Sequence, residues 1–359
     1  MRRARAVRLI GALATAGALA GCASTGYYAQ AARGHLEVMR RAQPIPERLA
    51  DPSTPPALRV RLERVLAIRE FASRELGLPD NGSYRSYAAL GRPYVVWNVV
   101  AAPELSVAPK QSCFPVAGCV SYRGYYAVAH AERHGAGLAA QGLDVYIGGV
   151  PAYSTLGWFD DPVLDTFIGY PEGELARIIF HELAHQVVYV KDDTTFNESF
   201  AVAVERAGVQ AWFARGAPDA DRRAYETLQA RKREFVALVL RYRARAEALY
   251  AAPVPDAAKR AGKSRLFDEL AHDYAALRAA WGGYAGFDPF FARKPGNAHL
   301  AAVASYAERV PAFERLLARE GGDLPRFYAA VKRLAALPRP QRDAALAELA
   351  AGAPQANGR

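Results

Sequence analysis

The sequence predicts an α+β fold, predominantly α-helical, in which a small sheet packs against one apolar helix and a C-terminal helical region. Three observations predict it. From about residue 171 to 350, apolar residues recur at helical spacing with few breaks. Between 84 and 155 the composition turns β-branched and aromatic. The most apolar helical stretch, "RIIFHELAHQVVYV" (177–190), carries His181, Glu182 and His185. The chain has 359 residues, 51% of them hydrophobic, which is enough for a sizeable core, and no repeat of about 20–50 residues runs through it.

The first residues form a targeting segment rather than part of the fold. "MRRARAVR" carries four arginines and no acid, and "LIGALATAGALAGC" is apolar, uncharged and short for a bilayer span. Leu19-Ala20-Gly21-Cys22 resembles the lipobox of bacterial lipoproteins. That resemblance implies removal of residues 1–21 and attachment of a diacylglycerol to the Cys22 sulfur. With Ala23 next, and not Asp, it also implies a periplasmic protein anchored by lipid to the outer membrane. The alternative is an ordinary signal peptide cut near an A-x-A site, with Cys22 incidental.

Residues 28–42 and 56–77 read as amphipathic helices, the second with Leu62, Val65, Leu66, Ile68, Phe71 and Leu76 at mostly helical intervals. "DPSTPP" separates them and Asp80-Asn81-Gly82 closes the second. Strands are expected at 93–103, 119–127 and 143–154, with a short helix over 127–142. Helices then follow at 172–190, 196–214, 218–250, 254–280, 297–309, 311–320, 323–336 and 339–350. No Ser/Gly-rich linker divides them. One unit over 22–359 is the simplest organisation: N-terminal helices over 22–83, a small sheet region over 84–155, the histidine-bearing helices over 171–214 and a C-terminal helical region over 215–350.

The net charge is +10; the four arginines of residues 1–21 account for four of these, leaving +6. The remaining Lys and Arg alternate with Glu on helical stretches, a solvated pattern without the aromatic interleaving of nucleic-acid binders, so no nucleic-acid partner is read. Cys113 and Cys119, in "QSCFPVAGCVSYRGYY", are expected to pair in an oxidising compartment, and so short a loop contributes roughly 2–3 kcal/mol.

His181 and His185 are i and i+4, one helical turn apart on one face, so their imidazoles can converge on one cation. Glu182 lies about 100° round the helix, poorly placed as a ligand and well placed as a general base. Burying two histidines and a glutamate among Ile178, Ile179, Phe180, Leu183, Val187 and Val188 is costly without a partner, and a metal ion supplies one. A third protein ligand is needed. "FNESFAVAVERAG" offers Glu198 and, seven residues later on the same face, Glu205.

"HELAH…FNESFA" resembles the gluzincin metallopeptidases, above all zinc aminopeptidases with an Asn-Glu-x-Phe-Ala segment. That resemblance selects Glu198 as the third zinc ligand, with Asn197 beside it and Glu205 supporting the site from behind. The twelve residues between His185 and Glu198 make a shorter connection than is usual there. Over nearly the whole chain, "GYYAQAARGHLEVMRRAQPI", "CFPVAGCVSYRGYY", "AYSTLGWFDDPVL", "FHELAHQVVYVKDDTTFNESFA" and "YAERVPAFERLL" resemble a bacterial family described as predicted aminopeptidases, many of them lipoproteins.

The expected function is that of a zinc-dependent peptidase, an aminopeptidase, in which a zinc-activated water attacks the peptide bond with Glu182 as general base. Tyr306 and His299, seven apart on one helix face, are candidates for the oxyanion donor; Tyr125, Tyr126 and Tyr284 are others. "IGGVPAYSTLGWF" suits a sheet edge along which a peptide substrate could lie. Asp160 and Asp161 are available to anchor a substrate amine, though nothing in the sequence places them. The rivals are a zinc endopeptidase acting on envelope or cell-wall peptides and a catalytically idle envelope lipoprotein with a structural metal. Oligomeric state is not legible.

Overall fold

The computed structural model describes residues 25–114, 118–216 and 218–352. The expected signal peptide and Cys22 lie outside the described residues. The described residues are 60% helix and 10% strand, with sheets of two or three strands among them, the mainly helical α+β class expected.

In chain order, α1 (25–41) is followed by β1 (Gln43–Pro44), α2 (Ile45–Ala50), α3 (Pro56–Arg74), β2 (Ser86–Ala88) and β3 (Val96–Pro103). Then come β4 (Ser112–Phe114), β5 (Gly118–Val120), β6 (Arg123–Tyr125), α4 (Val128–Ala139), β7 (Leu143–Val150) and β8 (Val163–Leu164). The remainder is helical: α5 (Glu172–Ala184), α6 (Thr194–Phe213), α7 (Asp219–Ala251), α8 (Asp256–Ala280), α9 (Asp288–Phe291), α10 (Asn297–Ala307), α11 (Val310–Arg319), α12 (Leu324–Ala335) and α13 (Arg339–Ala351).

The main sheet has the order β6-β3-β7, antiparallel throughout, with β7 on an edge. β3 and β7 pair from Val96↔Val150 to Pro103↔Leu143. Alternation sorts β3 between two helices. Val99 and Ala101 pack with Ala131 and Leu138 of α4, while Val100 and Ala102 pack with Ala298 and Ala301 of α10. The strand expected over 119–127 is two short strands, broken at Ser121-Tyr122, because β5 pairs with β4 and β6 with β3. The strand expected over 143–154 stops before Pro151, which cannot donate to a ladder.

The largest core joins α3, α5, α6 and the C-terminal helices. Ile68, Phe71, Leu175, Ile179, Phe180, Phe196, Phe200, Val204, Phe313 and Phe327 are all buried in it. Gly208 lets α6 approach α5 closely; a Cβ there would stand 2.7 Å from the Phe180 ring. The helix expected over 172–190 ends at Ala184. Asn197 of the next helix is the reason: its amide donates to the Val190 carbonyl (2.8 Å) and accepts the Val190 N–H (2.7 Å), groups that a longer helix would have used itself. Asp193 then caps α6, accepting from the Phe196 N–H at 3.1 Å.

Candidate metal centre

α5 presents His181 and His185 on one face, and the first turns of α6 return Glu198 to them. His181 Nε2 lies 3.2 Å and His185 Nε2 3.7 Å from the same oxygen, Oε2 of Glu198. One donor atom from each of the three buried side chains falls within 4.8 Å of the others. Ligands about 2.0–2.2 Å from a tetrahedral cation stand about 3.3–3.6 Å apart, so the observed pairs bracket a tetrahedral edge. The short connection between His185 and Glu198 therefore suffices, because the Asn197 staple folds it into a tight turn.

The donors also fit a cation electrically. Burial pushes His185 down to about 4, leaving it neutral at pH 7. Burial would lower His181 too, but hydrogen bonds to Glu198 and Glu205 and the charges of Glu205 and Glu182 raise it to about 10. The carboxylates thus demand positive charge at the spot where a metal ion would supply it. His185 Nδ1 is buried and has no hydrogen-bond partner among the described residues.

Behind His181 runs a chain of ion pairs. Glu205 Oε2 lies 2.9 Å from His181 Nδ1 and accepts from Arg177 at 3.0 Å; Arg177 also donates to Glu174 at 2.7 Å, and Gln229 to Glu174 at 2.6 Å. Burial alone would raise Glu205, but Arg177 and His181 hold it well below the usual carboxylate range. The network fixes the His181 ring with Nδ1 occupied and Nε2 turned to Glu198. The sequence pointed to Glu205 and missed Arg177, which reads there as an ordinary solvated helix cation.

Glu182 is half-buried beside the triad. Desolvation pushes its carboxyl up to about 7; Glu198 and Asp161 add to the rise and His181 and Arg177 oppose it. Three tyrosine hydroxyls sense the Glu198 charge. It is the largest cause of the strongly raised value of Tyr306, whose residue is 40% exposed. Tyr122 and Tyr189 are raised first by burial and next by Glu198. The sequence singled out neither of these two.

His299 has partners of its own. It stands at the N-terminus of α10, where its Nδ1 accepts the Gly296 N–H (3.1 Å) and its ring packs on Tyr146 and Phe290 at 4.6 and 5.2 Å. Seven residues along a helix is about 10.5 Å, so His299 and Tyr306 share a face at different depths along α10. Tyr284 lies against Trp281 and Phe287, and Tyr125 against Tyr27 and His134. Tyr126 packs on Tyr153.

Cys113 and Cys119 are disulfide-bonded, directly opposite each other in the β4–β5 hairpin. The hairpin rests on the turn between α5 and α6: the Cys119 N–H donates to Asp192, and a Cβ on Gly118 (φ +74°) would collide with Lys191 and Asp192. From the other side Asp193 is held by Arg342 at 2.9 Å and Arg309 at 3.4 Å. The approach of Glu198 to the histidines is thus braced by two distant parts of the chain.

A family model described as putative aminopeptidase matches residues 26–346. No curated protein and no solved structure matches the chain.

Proposed function

The chain belongs to the putative aminopeptidase family, and on that premise we propose that it is a zinc-dependent aminopeptidase whose metal is held by His181, His185 and Glu198. The observation that carries the reading is the convergence of those three buried donors, with a carboxylic acid of near-neutral pKa beside them. A zinc ion bound there would act as a Lewis acid, acidifying water and polarising a peptide carbonyl.

The chain's own groups supply the rest. A Glu182 carboxylate pushed up to about 7 is matched to its task at neutral pH: it takes a proton from the attacking water and returns it to the departing amine. Glu205 and Arg177 keep the His181 ring from rotating. Tyr306, with its hydroxyl kept protonated by the neighbouring Glu198, donates to the oxygen that gains charge in the transition state. β7, an edge strand with Gly148 and Gly149, offers its free side to an extended peptide. Upstream, Cys22 carries the lipid that holds the protein at the periplasmic face of the outer membrane; Cys22→Ser should release it into the soluble fraction.

The test is hydrolysis of a free-amine peptide against its N-acetylated twin, with Glu182→Gln as control. Cleavage of the free form alone supports the reading. Cleavage of both makes the protein an endopeptidase, and equal rates for wild type and Glu182→Gln leave it a metal-holding envelope protein without this chemistry.

A further inference from the structure

We propose that Asp161 and Tyr84 form the subsite that binds the α-ammonium group of the substrate, beside Glu182; this rests on the peptidase reading above. The starting point is a pair of orphaned atoms. Asp161 is 1% exposed, and its Oδ1 has no hydrogen-bond partner among the described residues. Tyr84 is also 1% exposed, and its hydroxyl has none among them either. Buried polar atoms without partners are rare in native folds because each forfeits its hydration. Two of them in one locality, one on a carboxylate, mark a place built for a ligand with hydrogen-bond donors and positive charge.

The backbone brings the two together and sets them against the metal helix. The Tyr84 N–H donates to the Asp161 carbonyl at 2.6 Å. Tyr84 itself sits in the left-handed region at φ +62°, a costly place for an aromatic residue. The preceding residues are tied to Gln186, the neighbour of His185: Asn81 donates to its side chain at 2.7 Å and Ser83 accepts from it at 3.2 Å. Charge gives the same proximity, since after burial the two main influences on the Tyr84 hydroxyl are Glu182 and Asp161.

The donor count fits an ammonium. A primary ammonium has three N–H groups, and Asp161 Oδ1 and the Tyr84 hydroxyl oxygen are acceptors for two of them. Tyr126 and Tyr153, whose rings meet edge to face at 6.0 Å, both have hydroxyls that feel the Asp161 charge. The other Asp161 oxygen is committed, accepting from the Thr155 N–H (2.8 Å) and hydroxyl (3.1 Å), so it anchors the 155–161 turn while Oδ1 stays unused. That turn carries exposed Trp158 and Phe159. Without a cation, burial pushes the Asp161 carboxyl up to about 6; a bound ammonium would remove the reason for that rise. Asp160, exposed at the next position, serves as a built-in control.

Binding of L-leucinamide and N-acetyl-L-leucinamide to the zinc-loaded full chain, read by stopped-flow fluorescence before amide hydrolysis accumulates, tests the subsite. The wild type and Asp160→Asn should bind leucinamide and discriminate against the acetylated probe at least tenfold. Asp161→Asn should lose that discrimination while keeping its zinc content. Tyr84→Phe, which disturbs no existing hydrogen bond, should weaken leucinamide about three- to tenfold and serves alone if Asp161→Asn does not fold. Equal binding of the two probes by wild type overturns the proposal, as does wild-type affinity in both variants. A protein that hydrolyses no peptide yet selects leucinamide through Asp161 refutes the peptidase reading and leaves the subsite standing. Hydrolysis indifferent to N-acetylation does the reverse.

Discussion

Glu205 Oε2 meets Nδ1 of His181 at 2.9 Å, on the side of the ring away from Glu198. The carboxylate thus decides which imidazole nitrogen is left for a metal, and Arg177 holds the carboxylate in turn. Removing such an outer partner typically costs about 10–100-fold in metal affinity. Glu205→Ala should therefore weaken zinc by about that factor in competition with a chromophoric chelator. Glu205→Gln, which can still accept from the ring, should lose less. Unchanged affinity in both variants would reduce Glu205 to a structural ion pair.

Proton and metal compete for His181. In the metal-free protein this group is held above its ordinary 6.5, at about 10, so its ion pairs stabilise the fold fully below about pH 6.5 and fade as pH rises through about 10. Glu205 has the opposite sign: held below its ordinary 4.5, it stabilises above about pH 4.5 and the contribution is lost on acidification. A cation must displace the His181 proton, so zinc affinity should rise about tenfold per pH unit between about pH 7 and 8. A flat profile there would mean that His181 is already neutral.

The disulfide hairpin should matter to the metal site as well as to stability. Cys119 and Gly118 sit on Lys191 and Asp192, in the turn that delivers Glu198. Replacing Cys113 and Cys119 by serine should lower unfolding free energy by about 2 kcal/mol, the entropy of so short a loop. Denaturant titration with zinc chelated reads that loss, and chelator competition on the folded variant should show a further, smaller loss of zinc affinity. If the stability falls and the affinity does not, the hairpin braces the fold alone.

What the sequence disclosed follows from how local each relationship is. His181 and His185 were legible because i,i+4 on a helix fixes a shared face. Glu198 was legible through its motif once a turn was assumed, but the end of α5 at Ala184 was not. It depends on Asn197 reaching back to Val190, which helical periodicity does not encode. Tyr122 stayed hidden because the break between β5 and β6 aims it, and that break comes from two different strand partners. For His299, spacing specified a helix face and not the depth along the axis. Arg177 was in plain view within the same string, yet only the three-dimensional pairing with Glu174 and Glu205 distinguishes it from a surface cation.

Tyr306 carries the most exposed part of the mechanistic reading. Its hydroxyl is raised well above its ordinary value chiefly by Glu198, so it remains a proton donor across the neutral range. A donor aimed at charge that develops only in the transition state contributes to kcat and little to KM, typically about 10²–10³-fold. Tyr306→Phe should therefore cut kcat by about that factor on a free-amine peptide, with KM within about threefold and zinc content unchanged. Tyr122→Phe, raised by burial first and Glu198 second, should cost less, and the double variant should fall short of the product of the two if the hydroxyls serve one oxygen. A rise in KM at constant kcat would instead make Tyr306 a binding contact made equally in ground and transition states. No change in either constant would pass the donor role to Tyr122, whose own variant then has to show the loss.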